Sequence, residues 1–157
     1  MDLREIGKIV IAILICQMAG IIGSFFTADS ISGWYATLAR PEFSPPNWIF
    51  APVWLTLYTL MGISLYLVWR EKDKTNVTPA LLVFFAQLVL NAVWSIVFFG
   101  LQSPFFAFLI IIFLWILIAG TIYFFYRISK TAAYLLVPYI VWVSFAAILN
   151  YYIWILN

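Results

Sequence analysis

The chain has 157 residues, of which 66% are hydrophobic and only 9% charged, with a formal net charge of +2. Soluble domains hold roughly 45–50% apolar and about 25% charged residues, so a globule this small cannot hide its apolar surface from water, and part of its solvent is lipid. The weak, dispersed charge excludes a nucleic-acid footprint, and the 20% aromatic content excludes a disordered chain.

Five apolar stretches reach the ~20 residues a helix needs to cross a hydrocarbon core of about 30 Å. They fall at 6–26, 45–69, 79–99, 104–126 and 131–154. Helices are the spanning option for runs this long and non-alternating. The expected fold is an all-α integral membrane protein, a single transmembrane domain over 1–157 built as a five-transmembrane-helix bundle.

The first stretch follows a charged start, Asp2 to Lys8. It is long and lacks a small-residue cleavage site, so a retained helix is expected rather than a signal peptide. Ala19 and Gly23 form a small-xxx-small pair, a cue to a homodimer. The outer loop 27–44 is long for a compact bundle, and loops of that length often serve as lids or binding loops. It carries Trp34, Tyr35, Arg40 and Glu42. An aromatic pair with one Arg fits a pocket mouth that meets an anionic group. An inert Arg40–Glu42 surface pair is the other reading.

Ser44-Pro45, Thr78-Pro79 and Ser103-Pro104 each place a capping hydroxyl before a proline, and these mark the starts of the second, third and fourth helices. Pro52 and Pro138 fall inside spans, where each removes a hydrogen bond to the carbonyl four residues back, so kinks are expected there. On the second helix Trp54, Tyr58 and Gly62 share a face. On the third, Gln87 and Asn91 are four apart, and Trp94 and Ser95 extend that face. On the fifth, Tyr139, Trp142, Ala146, Leu149 and Asn150 follow helical spacing. The amides fit helix–helix hydrogen bonding or contact with a ligand. The aromatic stripes fit core packing or the wall of a flat apolar cavity.

Seven basic residues (Arg4, Lys8, Arg70, Lys72, Lys74, Arg127 and Lys130) fall on one side if five helices alternate, and only Arg40 on the other. The positive-inside rule then puts the N-terminus in the cytoplasm. No charge sits near the middle of a span, so an ion-coupled pump is not expected. The chain has no histidine and one cysteine, Cys16. That removes His-dependent triads and metal sites, the usual general base, and any intrachain disulfide. No metal site is expected.

The sequence is similar to the tryptophan-rich sensory protein/translocator protein family, formerly the peripheral-type benzodiazepine receptors. The blocks that carry the likeness are Trp34-Tyr35 through Pro41, Pro45-Pro46-Asn47-Trp48, Pro52-Val53-Trp54 and Leu57-Tyr58. Further along come Tyr66-Leu67-Val68-Trp69, Gln87-Leu88 with Leu90-Asn91 and Trp94, Phe98-Phe99-Gly100, and Pro138-Tyr139 with Trp142, Phe145 and Leu149-Asn150-Tyr151. The resemblance implies a five-helix bundle, usually dimeric, whose cavity opens toward the loop after the first helix. It implies porphyrins such as protoporphyrin IX as ligand or substrate, with no obligatory cofactor, and isoquinoline or benzodiazepine drugs as further ligands. Trp34, Trp48, Trp54, Tyr58, Asn91, Trp94, Trp142 and Ala146 match its pocket or signature positions. With Arg40, Gln87, Tyr139, Phe145 and Asn150 they form the expected ligand-binding set.

Phe106 stands where animal members tend to have Trp, and no basic residue follows the fifth-helix tyrosines. Sterol recognition there is not expected, and a bacterial member in the cell membrane is. Three functions fit: a receptor or carrier for a flat tetrapyrrole, an enzyme that degrades porphyrin with light and oxygen, and a dimeric membrane scaffold or stress sensor. For the second, the oxidisable indoles of Trp48 and Trp142 are the expected catalytic groups.

Overall fold

The computed structural model describes residues 2–157. These residues fold into helices with no strand, and five helical spans are long and apolar enough to cross a membrane. Helix α1 runs Leu3–Ser32 and α2 is the single turn Trp34–Thr37. A 3-10 turn, Asn47–Ile49, leads into α3, Phe50–Trp69. Helix α4, Thr78–Ser95, ends in a π-helical turn, Ile96–Gly100. Helix α5 is Pro104–Ile128, α6 is Lys130–Leu135 and α7 is Val137–Leu156.

Helix α1 continues six residues past the expected end at 26. The polar run there satisfies itself within the helix or against a neighbour. Thr27 Oγ1 donates to the Gly23 carbonyl at 2.9 Å, and Ser30 Oγ to the Phe99 carbonyl at 3.3 Å. Half of the supposed 27–44 loop is therefore helical, and the irregular chain shrinks to 38–46.

None of the three hydroxyl–proline starts is capped by its hydroxyl as expected. The Ser44 hydroxyl is buried without a partner among the described residues, and the helix begins beyond Pro46. Asn76, not Thr78, does the capping before α4: its Oδ1 accepts from the Thr78 N–H at 3.1 Å. Ser103 stands at the N-cap of α5 with Pro104 first in the helix, but its hydroxyl makes no capping hydrogen bond.

The two prolines also behave differently from each other. Pro52 is the third residue of α3, in the first turn, where backbone N–H groups lack α-helical partners anyway, so it forces no kink. Pro138 has no N–H to offer the Tyr134 carbonyl, and the fifth span breaks at Leu136 into α6 and α7.

The main core gathers Ala12, Cys16, Met61, Phe84, Ile118 and Val143, and a smaller one gathers Tyr35, Phe98, Ala107, Leu149 and Ile153 at the other end. Two glycines allow α1 and α3 to close up. A methyl group at Gly62 would lie 2.4 Å from Ile13 Cα, and one at Gly20 would lie 2.6 Å from the Tyr58 ring. Ala19 and Gly23 are buried within the chain, with Gly23 against Ser95 of α4. The small pair thus serves contacts inside the bundle, not an outward face.

Candidate functional site

Between α1, α3, α4 and α7 the bundle holds a cavity of about 450 Å³. This lies within the 300–1,000 Å³ typical of small-molecule sites. Helix α3 contributes Phe50, Trp54 and Tyr58, and α4 with its π turn contributes Trp94, Ser95, Phe98 and Phe99. Helix α7 contributes Trp142, Ala146 and Asn150, while Tyr35 and Asn47 stand at the end nearest the 38–46 segment. No Asp, Glu, Lys or Arg lines it. Among the described residues no three His, Cys, Asp or Glu side chains gather where they could hold a metal.

The aromatic wall is ordered by ring contacts. Trp54 stacks on Tyr58 with centroids 5.5 Å apart, and Trp94 stacks on Phe98 at 5.2 Å. Trp142 meets Phe50 edge-on at 6.1 Å. The Trp94 indole N–H donates to Asn150 Oδ1 at 3.0 Å, and Asn150 Nδ2 donates to the Pro104 carbonyl at 2.8 Å. The Trp142 indole nitrogen is buried and has no hydrogen-bond partner among the described residues. An unmet buried donor costs about 1–3 kcal/mol.

Behind Tyr58 lies a polar chain that the cavity does not reach. The Tyr58 hydroxyl donates to Asn91 Oδ1 at 2.6 Å. Asn91 Nδ2 donates to the Tyr139 oxygen at 2.8 Å, and the Tyr139 hydroxyl donates to Gln87 Oε1 at 2.7 Å. All four side chains are buried. Each bonds a side chain on a neighbouring helix, and Gln87, Asn91 and Tyr139 do not border the cavity, so they support the site rather than line it.

The rest of the expected set is dispersed around the cavity. Trp34 packs edge-on against Phe98 at 5.7 Å, backing the wall. Phe145 lies between Trp142 and Phe43. Arg40 and Trp48 line a separate outer groove with Pro41, Ser44 and Pro46, and Trp48 is 73% exposed. Asn47 belongs to both surfaces, and Arg40 Nη1 donates to its Oδ1 at 3.3 Å. The Arg40 guanidinium also lies 5.0 Å from the centroid of the Tyr35 ring. Burial holds the Tyr35 phenol above the ordinary tyrosine value, against the opposing pull of Arg40.

The sequence reading overlooked the α1 wall. Gln17, Gly20, Ser24, Thr27 and Ile31 all border the cavity. Their 3–4–3–4 spacing, with three polar residues inside an apolar run, was a legible signal. Phe98 and Phe99 were harder to find. Consecutive residues of an α-helix point about 100° apart, and the π turn lets both border the same space.

A family model described as TspO/MBR family matches residues 12–155. The chain belongs to the TspO/MBR family. It is 47% identical to the tryptophan-rich protein TspO of Archaeoglobus fulgidus over 153 residues, covering 98% of this chain and 99% of that protein. It is 38% identical to the translocator protein of Homo sapiens over 136 residues, 85% of this chain and 80% of that one. The tryptophan-rich sensory protein of Cereibacter sphaeroides is 33% identical over 136 residues, 87% of this chain and 82% of its own. Membership and five apolar helical spans make the chain a multi-pass integral membrane protein, in a family with a membrane receptor or sensory role.

Proposed function

We propose that this chain is a membrane receptor or carrier that binds porphyrins, protoporphyrin IX among them, and flat isoquinoline- or benzodiazepine-type molecules. The observation that carries this reading is the uncharged cavity of about 450 Å³ walled by Trp54, Tyr58, Trp94 and Trp142. Flat apolar rings gain both burial and ring contacts against such a wall. The few polar side chains at its border, Gln17, Ser24, Thr27, Asn47 and Ser95 among them, suit one or two polar atoms on the ligand. Arg40 stands beside the cavity through Asn47 and suits a propionate that emerges there.

The seven basic residues of one end support a cytoplasmic N-terminus. The Glu5–Tyr66 and Ser64–Ala132 hydrogen bonds bring the chain start, the end of α3 and the start of α6 to that end. A bacterial cell membrane and a homodimer belong to the same reading. The homodimer is checked by native mass spectrometry from nanodiscs.

The test of the function is a spectral titration of protein in nanodiscs with protoporphyrin IX, first in the dark and then under light. Saturable binding at micromolar or tighter affinity, about −8 kcal/mol or better, is expected. A linear, non-saturable response equal to that of empty nanodiscs would overturn it.

A further inference from the structure

The cavity wall formed by α1 and α3 is also the outside of the molecule. Among the residues that border the cavity, the exposed ones are Ile21, Ser24 and Ala28 of α1 and Ala51 and Leu55 of α3. Ile21 is 49% and Leu55 62% exposed. The lining residues of α4, its π turn and α7 are all buried or half-buried. A residue that borders an inner space and the outer surface at once marks an opening, and every such residue lies on this one seam.

Local chemistry explains why the seam is open there and shut below. Toward the N-terminus of α1, Gly62 brings the α3 backbone against Ile13. Next comes a cross-link: Gln17 Nε2 donates to the Leu55 carbonyl and to Thr59 Oγ1, both at 3.0 Å. Beyond Gln17, Gly20 packs on the Tyr58 ring, but among the described residues no further hydrogen bond joins α1 to α3 along the cavity. The Ser24 and Thr27 hydroxyls turn back to the carbonyls of Ile21 and Gly23 on their own helix. Ser24, Ala28 and Ala51 are also too small to fill the gap. The water-facing end is tied instead, by Asn157 on Ala39 and by Phe43 against Phe145 and Tyr152.

All five rim residues lie within spans apolar enough for hydrocarbon. We propose that this α1–α3 seam is a doorway to the bilayer, through which the cavity takes apolar aromatic ligands sideways out of the lipid, with Gln17 as its sill. The proposal rests on the ligand-binding reading of the cavity. It adds that the ligand's reservoir is the membrane.

Two measurements decide it. In the first, protoporphyrin IX dissolved in nanodisc lipid is followed by stopped-flow quenching of tryptophan. Ala28→Phe and Ala51→Phe narrow the seam. Val141→Phe, at an exposed α7 position away from the cavity, is the control. A doorway predicts that association slows by about tenfold in both variants, whatever each Phe, which also borders the cavity, does to the equilibrium affinity. Unchanged rates in both variants, or a change confined to dissociation, overturn it.

The second measurement needs no porphyrin. Ligand-free protein is placed in lipid whose acyl chains carry bromine, and the emission of wild type is compared with that of Trp54→Phe. An open seam predicts that the Trp54 contribution is quenched, and an unquenched Trp54 overturns the doorway. If wild type binds no porphyrin at all, the porphyrin reading falls, and this second measurement still decides the seam.

Discussion

The Tyr58 hydroxyl and Asn91 Oδ1 meet at 2.6 Å across the α3–α4 contact, and both side chains are buried. Tyr58 is the one member of the polar chain that also borders the cavity. The hydrogen bond therefore fixes a piece of the cavity wall from behind. Removing Asn91 as Asn91→Ala leaves the Tyr58 hydroxyl unmet and takes one partner from Tyr139. A loss of about 1–3 kcal/mol per unmet group is expected. Tyr58→Phe leaves only the Asn91 oxygen unmet and should cost less. Thermal unfolding in one detergent gives the order directly. Equal stability of the three proteins would mean that water replaces the lost bonds.

The approach of α1 to α3 depends on Gly62, where a methyl group would lie 2.4 Å from Ile13 Cα and 2.8 Å from its nitrogen. These are backbone atoms and cannot turn aside. Gly62→Leu should therefore separate the helices, at about 1–3 kcal/mol or more by the usual cost of overpacking. Gly7→Leu is the control, since nothing lies within 4 Å of that position. Size-exclusion profiles after heating should show early loss for Gly62→Leu alone. Equal behaviour of the two would remove the close contact.

Hydropathy made the five spans legible because each is a long apolar run, and the period-3.6 stripes found Trp54, Tyr58, Trp94, Trp142, Ala146 and Asn150, which border one cavity. The pattern does not say how deep a residue on a stripe sits. Tyr139 shares a face with Trp142, yet it lies fully behind the wall and spends its hydroxyl on Gln87. Polar residues near a helix end are also ambiguous. Thr27 and Ser30 look like a loop start but donate to carbonyls and stay helical. The π turn had no signature at all, because Phe98 and Phe99 gain a common face only through a backbone bond of longer period, from Leu101 N–H to the Ile96 carbonyl at 2.9 Å.

Asn157 ties the outer segment to the end of α7. Its Oδ1 accepts from the Ala39 N–H at 3.0 Å, and its Nδ2 donates to the Ala39 carbonyl at 2.9 Å. A two-bond clamp of this kind contributes about 1–2 kcal/mol where it is partly exposed. Asn157→Ala should raise hydrogen exchange across residues 38–46 by roughly tenfold, with α3 and α7 protected as before. Exchange that rose evenly over the whole chain would instead point to global destabilisation.

The two indoles expected to support light-driven breakdown of porphyrin lie in different surroundings. Trp142 borders the cavity, with a buried N–H that has no partner among the described residues, whereas Trp48 is 73% exposed in the outer groove. An excited porphyrin in the cavity can draw an electron only from an indole close to its ring, and confinement would hold the resulting radical pair and oxygen together. Phe in place of Trp keeps a ring and most of the packing but removes the easily oxidised group. Trp142→Phe should therefore slow illuminated loss of the porphyrin absorption by at least about tenfold, while dark affinity falls by only ~1–2 kcal/mol. Trp48→Phe should leave both within about twofold, because Trp48 lines the outer groove and not the cavity. If the double variant Trp48→Phe/Trp142→Phe gave the same product at the same rate as wild type, the chemistry would belong to the free pigment, and the protein would only contain it.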